Sequence, residues 1–298
     1  MISYLSQYRR DSVVYIPNPG NAGDSVIAAA TYQLLNKAGL KYELARADKV
    51  DPDGRVVIYG GGGNLVAPNT FSAKAARRLH RRAKRFVVLP HTIKDNNELL
   101  QEFEGNVDVF CREQYSFDYV RKSGTRAKVF LAGDMAFGLG LGDLQQGATI
   151  NMPQQFSDYA INKLRGQIST PMLSNLNRAL HCDAILQRLQ QQAPLRHLNC
   201  FRLDGERTAI DIPKDNVDLS QELQFGVENA ALAKYCAASL VKFLGGYASV
   251  STNRLHVAIS AALVGLDVRF YSNSYYKCKG VYEFSMRGVF DNVSWMSD

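Results

Sequence analysis

The sequence has little with which to cross a membrane or to staple itself. Its longest strongly apolar stretch, Leu255 to Leu266, is 12 residues, well short of the roughly 20 that a spanning helix needs. The N-terminal MISYLSQYRRD has no apolar core followed by small residues, so no signal peptide is expected. Cysteine is scarce and odd in number: Cys111, Cys182, Cys200, Cys236 and Cys278, with no CxxC. This pattern excludes a disulfide framework and argues for a reduced, cytoplasmic chain. His181, Cys182, His197 and Cys200 lack finger or ribbon spacing, so no metal is expected. The GxGxxG, P-loop, GxSxG and HExxH patterns are all missing, which weakens dinucleotide, nucleotide, serine-hydrolase and zincin readings.

What is present is an ordinary globular balance over 298 residues, 46% hydrophobic and 21% charged. At about 150 residues per domain this suggests two domains. The net charge is +7, and part of it is local: Lys74 to Arg85 holds seven Lys or Arg in twelve residues. Nucleic acid, an anionic membrane surface and phosphorylated ligands are all compatible with such charge.

Short apolar runs alternate with helical patterns. Strands are expected at 12–17, 41–47, 55–63, 85–92, 106–113 and 127–134, with a helix at 25–38, a basic helix at 71–84 and a helix at 114–122. This alternation predicts a parallel sheet in an α/β domain. Residues 138–157, rich in Gly and Gln, read as an inter-domain linker or long loop. Beyond them a helix is expected at 173–192, strands at 196–204, 247–252 and 267–273, and helices at 228–244 and 254–266. The fold class is therefore α/β with two Rossmann-like lobes, residues 1–145 and 146–298.

Six segments carry candidate chemistry. PNPGNAGDS (17–25) is a strand-to-helix turn suited to an anion, with Asn21 and Asp24 in it; the plainer alternative is a capped helix. YGGGGNLV (59–66) follows a strand, and Gly61, Gly62 and Asn64 read as a ligand-side loop more than a structural turn. VLPHTI offers His91 just past a strand. FCREQYS offers Arg112, whose planar fork suits a carboxylate or phosphate. FRLDGE places Arg202, Asp204 and Glu206 at alternate positions, one face of an extended strand. STNRLHVAISAALVG places Asn253, Arg254 and His256 at a helix start. Cations gain nothing from the dipole there, so Arg254 and His256 are expected to face something negative.

Together these segments resemble the polysaccharide pyruvyl transferase family. The matching pieces are GNAGDSVI, VVIYGGGGNL, VLPHTI, FCREQYS, VFLAGDMAF, FRLDGE and STNRLHVAISAALVG, in the family's order over residues 13–273. The resemblance implies the two-lobed fold of B-type glycosyltransferases with a cleft between the lobes. It also implies transfer of a pyruvyl group from phosphoenolpyruvate to a sugar as a ketal, with release of phosphate. By the same resemblance Arg112, Arg254 and His256 hold phosphoenolpyruvate, and His91 stands where the family more commonly has Gln.

From that resemblance follow the remaining expectations. His256, Arg254 and Asp24 are catalytic: His256 protonates the donor or the leaving phosphate, and Asp24 or Glu206 takes a hydroxyl proton. Arg112, His91, Asn21, Gly61, Gly62, Asn64, Arg202, Glu206 and Asn253 bind substrate. No cofactor is expected, phosphoenolpyruvate being the donor. The acceptor is a sugar of an exopolysaccharide or capsule repeat, lipid-diphosphate-linked in one version, with the basic run touching an anionic inner membrane face. The run equally reads as a solvated helix face. Rival readings are a nucleotide-sugar glycosyltransferase or epimerase of the same fold and, more remotely, a nucleic-acid-binding protein, which lacks a recognisable binding module.

Overall fold

The computed structural model describes residues 1–67, 71–145, 149–164, 171–193, 196–207, 210–227 and 229–296. The chain forms two compact units. One comprises residues 1–18, 30–139 and 283–285; the other comprises 19–29, 140–282 and 286–298.

The elements of the first half are α1 (Ile2–Ser6), β1 (Val13–Ile16), α2 (Ala22–Lys37), β2 (Tyr42–Leu44), β3 (Val56–Tyr59), β4 (Gly62–Val66) and α3 (Phe71–Leu79), followed by β5 (Arg85–Lys94), α4 (Asn97–Glu102), β6 (Val107–Cys111), α5 (Gln114–Lys122) and β7 (Lys128–Leu131). Their strands form one parallel sheet in the order β2-β1-β3-β5-β6-β7, with β4 also on β5. The central strands VVYI, VVIY and VDVFC are buried along their whole length, as strands covered on both faces must be. The order reverses direction at β1, so the ends of β1 and β3 form a topological switch point, the usual place for ligands in such sheets. The segment 19–29, which includes the start of α2, belongs to the second unit.

Strand β5 explains the glycine run. Its first half pairs with β3 and its second half with β4, with Gly62 opposite His91. The chain steps from one neighbour to the other across Gly60 and Gly61. A Cβ on Gly60 would lie 2.7 Å from Asn18 N, and one on Gly61 2.7 Å from Pro90 O, so no larger residue fits the step. The expected ligand loop is thus half strand, from Gly62 onward, and Gly60 and Gly61 are required for backbone packing. Pro90 and His91 lie inside β5, as the strand expected at 85–92 implies and not just past its end. Proline is tolerated there because the register is irregular between Val88 and His91.

The second half adds α6 (Leu141–Gln145), α7 (Met152–Leu164), α8 (Pro171–Leu180), α9 (Cys182–Gln192), β8 (His197–Cys200), α10 (Leu219–Glu222) and α11 (Ala230–Leu244), then β9 (Ser249–Thr252), α12 (Leu255–Val264), β10 (Asp267–Tyr271), α13 (Lys277–Val281) and β11 (Val293–Met296). Its four strands make a second parallel sheet in the order β11-β10-β9-β8. The described part of the expected linker is largely helical, in a short 3₁₀ turn (Met135–Gly138), α6 and α7. The single helix expected at 173–192 is two. They part at His181, whose ring Nδ1 donates to the Asn177 carbonyl at 2.8 Å. The strand expected over 196–204 stops at Cys200, so residues 202–206 leave the sheet. Among the described residues no helix is long and apolar enough to cross a membrane.

Candidate active site

In the second unit the GNAGD segment builds the start of α2. Asn21 Oδ1 accepts from Gly23 N at 2.8 Å, and Asp24 Oδ2 accepts from Asn21 N at 2.9 Å. This is a reciprocal capping box, with aspartate at the third helical position. Gly20 leaves room for it, since a Cβ there would lie 1.9 Å from Asp24 Oδ2. Ser25 Oγ donates to Gly226 O at 3.0 Å and Gln224 Nε2 to Gly20 O at 3.0 Å, fixing the turn to the 224–226 segment.

Gly23 is the point where α2 meets α12. A Cβ on Gly23 would sit 2.4 Å from His256 Nδ1, so glycine lets the imidazole lie against the first turn of α2. Helix α12 begins at Arg254 with no side-chain cap. The first N–H groups of any α-helix point beyond its end without an intrahelical acceptor. Two positive helix ends converge on His256, an arrangement that favours an anion.

Arg254 is buried and held on two sides. Its Nε donates to Asp218 Oδ1 at 2.9 Å, its Nη2 donates to Asp218 Oδ2, and its Nη1 lies 3.0 Å from Asp204 Oδ2. The expectation of a negative partner for Arg254 is met inside the chain. Arg202 grips Asp204 through Nε (2.7 Å) and Nη2 (3.0 Å), and donates from Nη1 to Glu206. These three residues converge because the chain turns, Glu206 N donating to Asp204 Oδ1 at 3.1 Å, and not because they alternate on a strand. Asn253 Oδ1 accepts from Arg202 N at 2.8 Å, and its buried Nδ2 has no hydrogen-bond partner among the described residues. Lys277 Nζ and Asn273 Nδ2 donate to Glu206.

Charge governs these groups. Burial works to raise the Asp204 carboxyl, but the Arg202 hydrogen bonds and the Arg254 charge outweigh it and bring it down to about 2. Burial likewise opposes ionisation of Glu206, and the Lys277 and Arg202 charges overcome it, so its pKa is lowered. Arg202, Arg254 and Lys277 thus interlock with Asp204, Glu206 and Asp218 beyond the C-terminal ends of β8, β9 and β10.

In the first unit the other candidates form a separate polar network. Asn64 Oδ1 accepts from Asn18 Nδ2 (3.0 Å), Ser72 Oγ (2.6 Å) and His91 Nε2 (3.0 Å), and Tyr59 Oη donates to Ser72 Oγ at 2.8 Å. Because the Asn64 oxygen only accepts, His91 carries its proton on Nε2. Burial, then the Arg112 charge, push the His91 pKa down to about 3, so it is neutral near pH 7 and does not act as an acid there. Arg112 is fully buried, donating to Thr92 Oγ1 at 2.8 Å and to Asp134 Oδ2 at 2.7 Å.

Asp218, Asn273, Lys277, Asn18 and Thr92 were not singled out by sequence. Each lies far along the chain from its partner, and none sits in a distinctive spacing. The basic run is substantially paired: Arg77 and Arg81 with Glu102, Arg82 with Asp51, Lys84 with Asp11, and Arg85 with Asp108.

Two parallel-sheet units with polar and charged side chains gathered at strand C-termini define a Rossmann-like α/β protein. The chain belongs to the polysaccharide pyruvyl transferase family, whose model matches residues 21–275. Family membership supports a pyruvyl transferase enzyme. A similar solved structure is the crystal structure of a functionally uncharacterized protein from Klebsiella pneumoniae subsp. pneumoniae. It is 28% identical, with a TM-score of 0.75, over 100% of this chain and 97% of that one. No curated protein matches the sequence significantly.

Proposed function

We propose that the protein transfers the pyruvyl group of phosphoenolpyruvate to a sugar of an exopolysaccharide or capsule repeat unit, forming a ketal and releasing phosphate. The observation that carries this reading is the approach of Gly23 to His256. It sets the N-termini of α2 and α12 together beside Arg254, and a donor with both carboxylate and phosphate suits that setting. The reaction balances as follows. The methylene carbon gains a proton, the bond from C2 to the phosphate oxygen breaks with its electron pair leaving on phosphate, and two sugar oxygens bond to C2. Of the two hydroxyl protons released, one balances the new methyl group and the other the phosphate.

In this reading Arg254 binds an anionic group of the donor and His256 delivers a proton to the donor or to the leaving phosphate. Asn21, at the start of α2, and Asn253, next to Arg254, are assigned to substrate binding in the same reading. Asp24 and Glu206 are the two carboxylates available for a hydroxyl proton. A lipid-diphosphate-linked acceptor and contact with anionic lipid complete the reading. Co-sedimentation with vesicles that ignores their anionic lipid content rejects that last element.

The test is release of phosphate from phosphoenolpyruvate with galactose, glucose and N-acetylmannosamine acceptors. Thermal stabilisation by phosphoenolpyruvate and not by UDP- or GDP-sugars is expected. The reverse pattern would select the nucleotide-sugar transferase or epimerase reading.

A further inference from the structure

Glu206 differs from the other carboxylates of the second unit in how its oxygens are used. Arg202 Nη1, Lys277 Nζ and Asn273 Nδ2 all donate to Oε2. Among the described residues Oε1 has no hydrogen-bond partner, and the side chain is 36% exposed. Asp204, by contrast, spends Oδ1 on Arg202 Nε and Glu206 N, and Oδ2 on Arg202 Nη2 and Arg254 Nη1. Both Asp218 oxygens go to Arg254. Asp24 is committed to the α2 capping box.

We propose that Glu206 is the general base of the transfer, its Oε1 accepting the proton of the acceptor-sugar hydroxyl as that oxygen attacks C2 of the donor. This deepens the reading above and rests on it. The O–H bond of the hydroxyl breaks, the C2–O bond forms, and the proton goes to Oε1. Three donors on Oε2 fix the carboxylate plane, so the other oxygen is oriented before the sugar arrives. The Arg202–Asp204–Arg254 chain ties that carboxylate to the donor-binding arginine. The charges of Lys277 and Arg202 keep Glu206 ionised, as a base must be. The segment from β10 into α13, which supplies Asn273 and Lys277 to Glu206, also carries Tyr275 and Tyr276, half-exposed rings packed edge to face with centroids 5.7 Å apart, a surface suited to the C–H face of a pyranose.

The test measures phosphate release from phosphoenolpyruvate with methyl galactoside, methyl glucoside and N-acetylmannosamine, together with direct binding of phosphoenolpyruvate. Glu206→Gln is expected to lower the turnover rate at least about 100-fold while changing donor affinity less than threefold. In Glu206→Gly, added formate is expected to restore part of the rate, which a purely structural loss would not allow. Turnover by Glu206→Gln within threefold of the wild type overturns the inference. So does a fall in donor affinity as large as the fall in rate, and so does a Glu206→Gly protein that binds the donor normally yet ignores formate. Failure of the wild-type chain to bind phosphoenolpyruvate overturns the transferase reading itself, a separate result.

Discussion

Asp218 holds the guanidinium of Arg254 through two parallel hydrogen bonds, Nε to Oδ1 at 2.9 Å and Nη2 to Oδ2. Both side chains are nearly inaccessible, at 4% and 9%. This pair orients the one edge of Arg254 that faces the turn at Asp204. Removing the negative partner of a buried arginine frees its plane and leaves its charge uncompensated.

Asp218→Asn is therefore expected to weaken phosphoenolpyruvate binding about tenfold or more, the loss of a charge-assisted bidentate pair being about 1.5–3 kcal/mol. Asp218→Glu, which keeps a carboxylate on a side chain one methylene longer, is expected to recover part of the affinity. Titration calorimetry on both variants checks this, and unchanged affinity in Asp218→Asn would remove Asp218 from the account.

Gly23→Ala separates stability from function. Alanine is the better helix former by up to about 1 kcal/mol, so the variant is expected to fold as well as the wild type. Its Cβ, however, meets His256 Nδ1 at 2.4 Å and must displace the imidazole. The expected outcome is a melting temperature within a few degrees of wild type and a kcat/KM lower by tenfold or more. An active Gly23→Ala enzyme would show that the position of His256 is not demanding.

The buried ion pair of the first unit has the opposite signature. Arg112 and Asp134 are 1% and 0% exposed at their side chains, and Asp134 also caps the following 3₁₀ turn through Ala136 N at 2.8 Å. Asp134→Asn strands the arginine charge and is expected to cost about 3–5 kcal/mol of stability. A shift of the urea midpoint with unchanged slope reports that loss.

Much of this was legible beforehand. The parallel sheets follow from apolar runs such as VVYI and VVIY, which admit burial on both faces, and GNAGD announces a capped helix start through residue type alone. The role of the glycine run was not legible, because whether Gly61 faces a ligand or the Pro90 carbonyl depends on which strand of the sheet lies beside it. Nor was the grouping of Arg202, Asp204 and Glu206: period-two spacing suggests a shared strand face, whereas the strand ends at Cys200 and a turn gathers them. Asp218 was invisible, since its bond to Arg254 spans 36 residues and no local pattern encodes it.

His91 sets an acid limit on the stability of the first unit. Its folded pKa, about 3, lies below the ordinary value of 6.5 because burial and the Arg112 charge disfavour the protonated ring. A depressed folded pKa means the neutral form is the one that fits. The contribution is fully present above pH 6.5 and is lost progressively as pH falls from 6.5 towards 3. His91→Gln keeps a donor that can reach Asn64 Oδ1 and removes the titration. Urea unfolding between pH 7 and pH 4 is therefore expected to show a shallower decline in the variant than in the wild type. His80, also buried with a lowered pKa, keeps part of the slope in both proteins, whereas Asp204 acts in a lower window, between 3.8 and about 2. Equal slopes in the two proteins would mean that His91 does not stay neutral in the folded state.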